Sequence, residues 1–157
     1  MPKALIAAAL SLAVAGPASA LSCLKPDIVA AFSDAAAADE VYVIVSGRFS
    51  DGPGPRDGGT TGGEPRSYEA FFSGWTIFAN GPEERINEPV RVFETCTAEW
   101  CAELPMDTEV LTFLQRDPDG GKPTLVLNAC QGNLFPEPTE AMMEAITTCF
   151  AKGCTAS

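Results

Sequence analysis

Six cysteines and a surplus of carboxylates are the residues of this chain with chemistry to offer, and no histidine accompanies them. Without an imidazole there is no Ser-His-Asp or Cys-His nucleophile system, no His-ligated zinc and no ordinary general base near neutral pH. Cys96 and Cys101 enclose four residues, and Cys149 and Cys154 repeat that spacing. A redox pair favours two intervening residues at a helix N-terminus, where the thiol pKa falls. Four residues suit a structural clip. Local pairing of each couple is the economical arrangement and leaves Cys23 for Cys130. Cys149 is the main competitor for Cys23 among the fifteen connectivities that six cysteines allow. On the chain-entropy account the long bridge contributes about 5 kcal/mol and each short one about 2 kcal/mol.

The carboxylates are weighed in the same way. Glycoside hydrolysis needs only two, one with a raised pKa, and Glu83, Glu84, Glu94, Glu99 and Glu103 are the candidates. Solvated surface is the expected role of each. Asp117 and Asp119, followed by two glycines, resemble a fragment of a calcium loop, but the further alternating carboxylates and the distal Glu of such a loop do not follow. A hairpin turn is the better reading. No catalytic residue, metal ligand or cofactor is therefore assigned, and an enzyme is not expected.

Trp100, inside the Cys96–Cys101 couple, is the single candidate binding residue. It either folds back over the core as a lid, the favoured reading, or stands out as an anchor for a partner. The segment 51–66, with Arg56 and Arg66, is the other surface that could recognise something, although a flexible spacer is the simpler reading. The aromatic set Phe71, Phe72, Trp75 and Phe78 suggests an alternative function as carrier of a small ligand.

Residues 1–20 read as an address: Lys3, an apolar run from Ala4 to Ala15, a Gly16-Pro17 break, and Ala18-Ser19-Ala20 before cleavage. That run is too short to span a bilayer, which takes roughly 20 residues. The formal charge of −11 becomes one unit more negative once Lys3 is removed, which disfavours nucleic acid as a partner. Acylation of Cys23 would leave an odd number of thiols in an oxidising compartment, so a soluble exported form, periplasmic or extracellular, is expected.

Along residues 21–157, read as one domain, Asp27 to Ala38 predicts a helix with Ile28, Val29 and Phe32 at helical spacing. Val41–Phe49 predicts a buried strand, and the Gly- and Pro-rich stretch 51–66 a flexible loop. Tyr68–Phe78 predicts a strand with a bulge or bend at Gly74, ended by Asn80-Gly81-Pro82. Pro89–Thr95, Glu109–Arg116 and Thr124–Cys130 follow as strands, the last two joined by Asp117-Pro118-Asp119-Gly120-Gly121 as a hairpin. A final helix opens at Pro138-Thr139, carries Met142, Met143 and Ile146, and ends near Cys149. The fold class is mainly β: a five-stranded OB-like antiparallel barrel with an N-terminal and a C-terminal helix.

Ser22-Cys23-Leu24-Lys25-Pro26 before a short helix, the strand at Val41, Asn80-Gly81-Pro82-Glu83-Glu84 between strands, Trp100-Cys101 and Leu104 ahead of Val110-Leu111, and Cys130 closing the last strand together resemble the netrin-like module. Tissue inhibitors of metalloproteinases share that module. The resemblance implies an OB-type barrel, secretion, and binding rather than catalysis. With the leader, the even thiol count and the strand order, the expected partner is a protein or envelope component, and the chain is expected to be a monomer. The resemblance does not carry metalloproteinase inhibition across. Those inhibitors begin with a Cys that chelates the protease zinc and have a second Cys two residues on; here the mature chain is expected to begin at Leu21, and Cys23 matches only the second.

Overall fold

A computed structural model describes residues 23–52, 57–58 and 63–154. The leader over 1–20 lies outside the described residues, as does half of the expected loop at 51–66. Within that loop Asp57–Gly58 form a two-residue strand, β2, against Arg66 and Ser67.

Helix α1 spans Ile28–Ala37, one residue inside each end of its expected range, because Asp27 is the cap: its carboxylate accepts from the Ala30 N–H at 2.8 Å. Helix α2 spans Glu140–Lys152, with Thr139 accepting from the Met142 N–H at 3.3 Å. It runs three residues past Cys149 and stops where Gly153 takes φ 76° and returns its N–H to the Cys149 carbonyl. Glu140 in the first turn and Lys152 in the last complement the helix dipole.

The strands are β1 (Tyr42–Asp51), β3 (Arg66–Phe78), β4 (Gly81–Glu94), β5 (Cys96–Thr97), β6 (Trp100–Cys101), β7 (Glu109–Gln115), β8 (Thr124–Leu127) and β9 (Leu134–Pro136). β1 pairs with β3 on one side and β7 on the other; β3 pairs with β4, β4 with β8, and β8 with β7. The path along paired strands that leaves β1 thus returns to β1. Strand direction alternates along it, and a ring of five cannot alternate throughout. One pair must run parallel, and it is β4 with β8, Phe93 beside Val126. The all-antiparallel expectation is corrected there.

The two faces of the sheet explain the apolar runs. Val110 and Leu114 of β7 join Val45, Phe49, Phe72, Val90, Val92, Leu125 and Leu127 in one core. Leu111 and Phe113, on the other face, pack with Ile44, Ile77, Ile28 and Ile146 under the two helices. Val110-Leu111-Thr112-Phe113-Leu114 is apolar on both faces because both are covered. Phe32, Phe150 and Phe78 close the helix layer, with ring centroids 5.1 Å apart for the first pair and 5.9 Å for the second.

The strands depart from their expected ranges most at β4 and β8. β4 begins at Gly81, eight residues early, since Ala79-Asn80 is a two-residue turn between the paired Phe78 and Gly81 rather than an ending, and Gly81 has φ 96°. Its first half is largely exposed and polar, so no alternation marks it. Pro89 lies inside β4 opposite Phe71. The Arg91 N–H points to the β8 side, towards the Pro123 carbonyl, so the donor that Pro89 lacks would point to the same side, where pairing with β8 has not yet begun. The irregularity expected at Gly74 falls between Trp75 and Ile77, where β4 carries the extra residue, so Ile77 keeps the face of Trp75 and packs on the helix side. β8 stops at Leu127, short of Cys130, and β9 follows against β7 through Leu134↔Thr112 and Phe135↔Leu111.

The disulfides are Cys23–Cys130, Cys96–Cys101 and Cys149–Cys154, and no described cysteine is free. The Cys23 sulfur is therefore engaged with Cys130.

Candidate functional site

After β4 the chain makes a small clip. Cys96 faces Cys101 and Thr97 faces Trp100, the Cα atoms of the bridged pair are 3.9 Å apart, and Ala98 takes φ 54° at the turn. Both ends of the clip are pinned. Ahead of it the Thr95 N–H and hydroxyl donate to the Leu127 carbonyl at 2.8 and 3.0 Å. Behind it the Ala102 N–H returns to the Thr95 carbonyl at 3.0 Å, and Ala102 and Leu104 enter the core.

Glu94, at the root of the clip, is 1% exposed. One oxygen, Oε1, accepts from the Tyr68 hydroxyl at 2.7 Å and from the Leu104 N–H at 2.8 Å; the other, Oε2, makes an ion-pair contact of 2.8 Å with Arg66. A buried charge persists only where such partners replace its water. Glu94 is thus a structural clamp that fixes where β4 ends and where the clip returns. Arg66, expected as part of a recognition loop, is spent on it and also reaches the Ala102 carbonyl.

On this mount Trp100 is 68% exposed. The favoured expectation of a lid over the core is corrected: a two-residue arm places the ring beside the sheet end, while Ala102 and Leu104 occupy the core. The returning end of the 51–66 segment lies against the same clip. A Cβ on Gly63 would approach the Ala98 carbonyl oxygen to 3.0 Å, and Cys101 Sγ is 3.8 Å from the Glu64 carbonyl. The two surfaces singled out in the sequence are therefore neighbours at one end of the sheet. Phe93 and Val126, paired across β4 and β8 and both partly exposed, lie near the strand ends that lead to it.

The other candidates disperse. Glu83, Glu84, Glu99 and Glu103 are exposed, while Glu94 is buried. Asp117 closes its own turn: its carboxylate accepts from the Asp119 N–H at 2.9 Å and its carbonyl from Gly120 at 3.1 Å. Among the described residues no three His, Cys, Asp or Glu side chains gather as a metal site. Of the aromatic set, Phe72 is core, Phe78 joins Phe150, and Trp75 faces out beneath Arg85, whose guanidinium carbon is 5.8 Å from the indole centroid. Compared with known proteins, the chain matches no family model, no curated protein and no solved structure.

Proposed function

We propose that this protein is an exported, disulfide-stapled binding module of netrin-like, OB-barrel type, which recognises a protein or envelope component through Trp100 and performs no chemistry. The barrel reading draws support from the circuit of pairings β1-β3-β4-β8-β7-β1 with its single parallel pair, a five-stranded arrangement that leaves few edges. Export draws support from the leader-like first twenty residues and from three bridges that persist only under oxidising conditions.

One observation carries the binding reading: a large indole held in solvent on a covalently closed, doubly anchored hairpin. Rigid aromatic anchors lose little conformational freedom on association, and Trp heads the residues that dominate interfaces. A carrier with its ligand inside the sheet is disfavoured, because Phe49, Phe72, Leu125 and Leu127 fill that space with no exposure.

The test is retention of extracytoplasmic components on immobilised mature protein, wild type beside Trp100→Ala. Saturable retention by the wild type, weakened roughly tenfold or more by the substitution, supports the reading. Equal retention removes Trp100 from the role, and no retention from any envelope fraction removes the binding function.

A further inference from the structure

The outer face of β1, β3 and the first half of β4 carries a second constellation. The register places Ser46, Trp75 and Arg85 in one row across the three strands, and Arg48 with Ser73 in the next. Pro138 and Met143, before and within α2, stand beside these residues, and together they enclose an open cavity of about 370 Å3 that Glu109 also lines. That volume is within the range of small-ligand sites, about 300–1,000 Å3. Its floor is two hydroxyls, one wall is an indole, and two guanidiniums overlook it.

The charges do not cancel inside the cavity. Arg48 meets Glu109 at 4.0 Å with both side chains more than half exposed, an exposed pair that contributes little. Arg85 has no carboxylate within ion-pair distance among the described residues and lies over Trp75 instead. Two strand spacings across and two residues along put the Cα atoms of Arg48 and Arg85 about 12 Å apart, and both side chains are long enough to converge on one group above Ser73. In a chain of formal charge −11, two under-used cations over one hollow are a local reversal of sign.

We infer that this hollow binds a small organic carboxylate borne on a ring, the carboxylate between Arg48 and Arg85 and the ring against Trp75. Guanidinium matches carboxylate by two parallel N–H donations, and the indole offers an apolar face to an aromatic ring or to the C–H face of a sugar. A monoanion is favoured over a phosphate dianion, because Glu109 and the net charge penalise the second negative charge more heavily. This site is separate from Trp100 and stands or falls independently of the proposed function.

The test is a chemical-shift titration of the mature protein with benzoate, glucuronate and benzamide, read at the Trp75 indole N–H, whose signal is identified with Trp100→Phe. Saturable movement with benzoate marks an aromatic acid and with glucuronate an acidic sugar, and either supports the inference. Arg85→Ala should weaken that binding roughly tenfold, the loss expected of one charge-assisted contact, and Glu109→Gln should tighten it by roughly twofold to threefold by freeing Arg48. Both residues are exposed, so neither change should disturb folding. No saturable movement with either acid overturns the inference, as does benzamide binding as well as benzoate or an Arg85→Ala protein that binds unchanged.

Discussion

Tyr68 and Glu94 are diagonal neighbours on β3 and β4, and the phenol donates to the buried carboxylate at 2.7 Å. Glu94 faces Arg66 directly across the same pair of strands, so one carboxylate ties a phenol, a guanidinium and the Leu104 amide into a single knot at the end of the sheet. The knot is where the chain leaves the core to build the clip and where it comes back.

Glu94→Ala should therefore cost about 3–5 kcal/mol, because it strands a partly buried guanidinium and two donors that have no water to turn to. Glu94→Gln keeps the acceptor for Leu104 but opposes an amide N–H to Arg66, and should cost about 1–3 kcal/mol. Urea unfolding at constant slope measures both. A Glu94→Ala protein as stable as wild type would show that the knot contributes nothing net.

Gly47 and Gly74 face each other where β1 is paired on both sides at once, with β3 on one and β7 on the other. Both project inward above the Phe72 ring. A Cβ on Gly47 would lie 2.6 Å from the Gly74 Cα and closer still to the Ser73 carbonyl oxygen; one on Gly74 would meet Ser46 and Gly47 in the same way. The obstacles are backbone, which cannot swing aside. Either Gly→Ala change should cost about 3 kcal/mol or more, at the upper end of overpacking penalties, seen as a fall in the urea midpoint. The open-space Gly132→Ala, which meets nothing within 4 Å, is the control.

These cases mark how far the sequence could be read. β1, β3, β7 and β8 announced themselves through β-branched and aromatic runs, and the helices through apolar residues at helical spacing, the second also through Pro138-Thr139 at its start. The first half of β4 stayed hidden because its side chains face water and carry no periodic signal, and β9 because three residues are too few to show one. The clamp and the Trp75 hollow stayed hidden for another reason. Both are products of register, which sets Arg66 opposite Glu94 and Trp75 between Ser46 and Arg85; a one-residue slip would turn each of these side chains to the other face. Trp100 was visible as a feature, but whether it turned in or out depended on how the clip is mounted.

The three bridges should contribute unequally. Cys23–Cys130 spans 107 positions and each of the others 5. On the chain-entropy account, replacing both members of the long bridge by Ala should cost about 5 kcal/mol and each short pair about 2 kcal/mol. Paired replacement avoids leaving a lone thiol. Equal losses for all three pairs would mean that native contacts, and not restriction of the unfolded chain, set the value of the bridges.

The clip adds a consequence that stability alone does not reveal. Trp100 is 68% exposed and contributes little burial, whereas Phe72 is fully buried, so Trp100→Ala should change stability by less than about 0.5 kcal/mol and Phe72→Ala should cost about 3–5 kcal/mol. What Trp100 requires is orientation. With Trp75→Phe in place Trp100 is the sole tryptophan, since the chain has two, and with excitation at the red edge that spares the tyrosines its emission anisotropy reads nanosecond freedom of the ring. Held between Cys96 and Cys101, it should tumble with the protein; after Cys96→Ala with Cys101→Ala it should gain a fast local component while the fold stays intact. An anisotropy decay unchanged by opening the clip would show that backbone bonds to Thr95 and Ala102 suffice to hold the indole, and that the bridge is not what presents it.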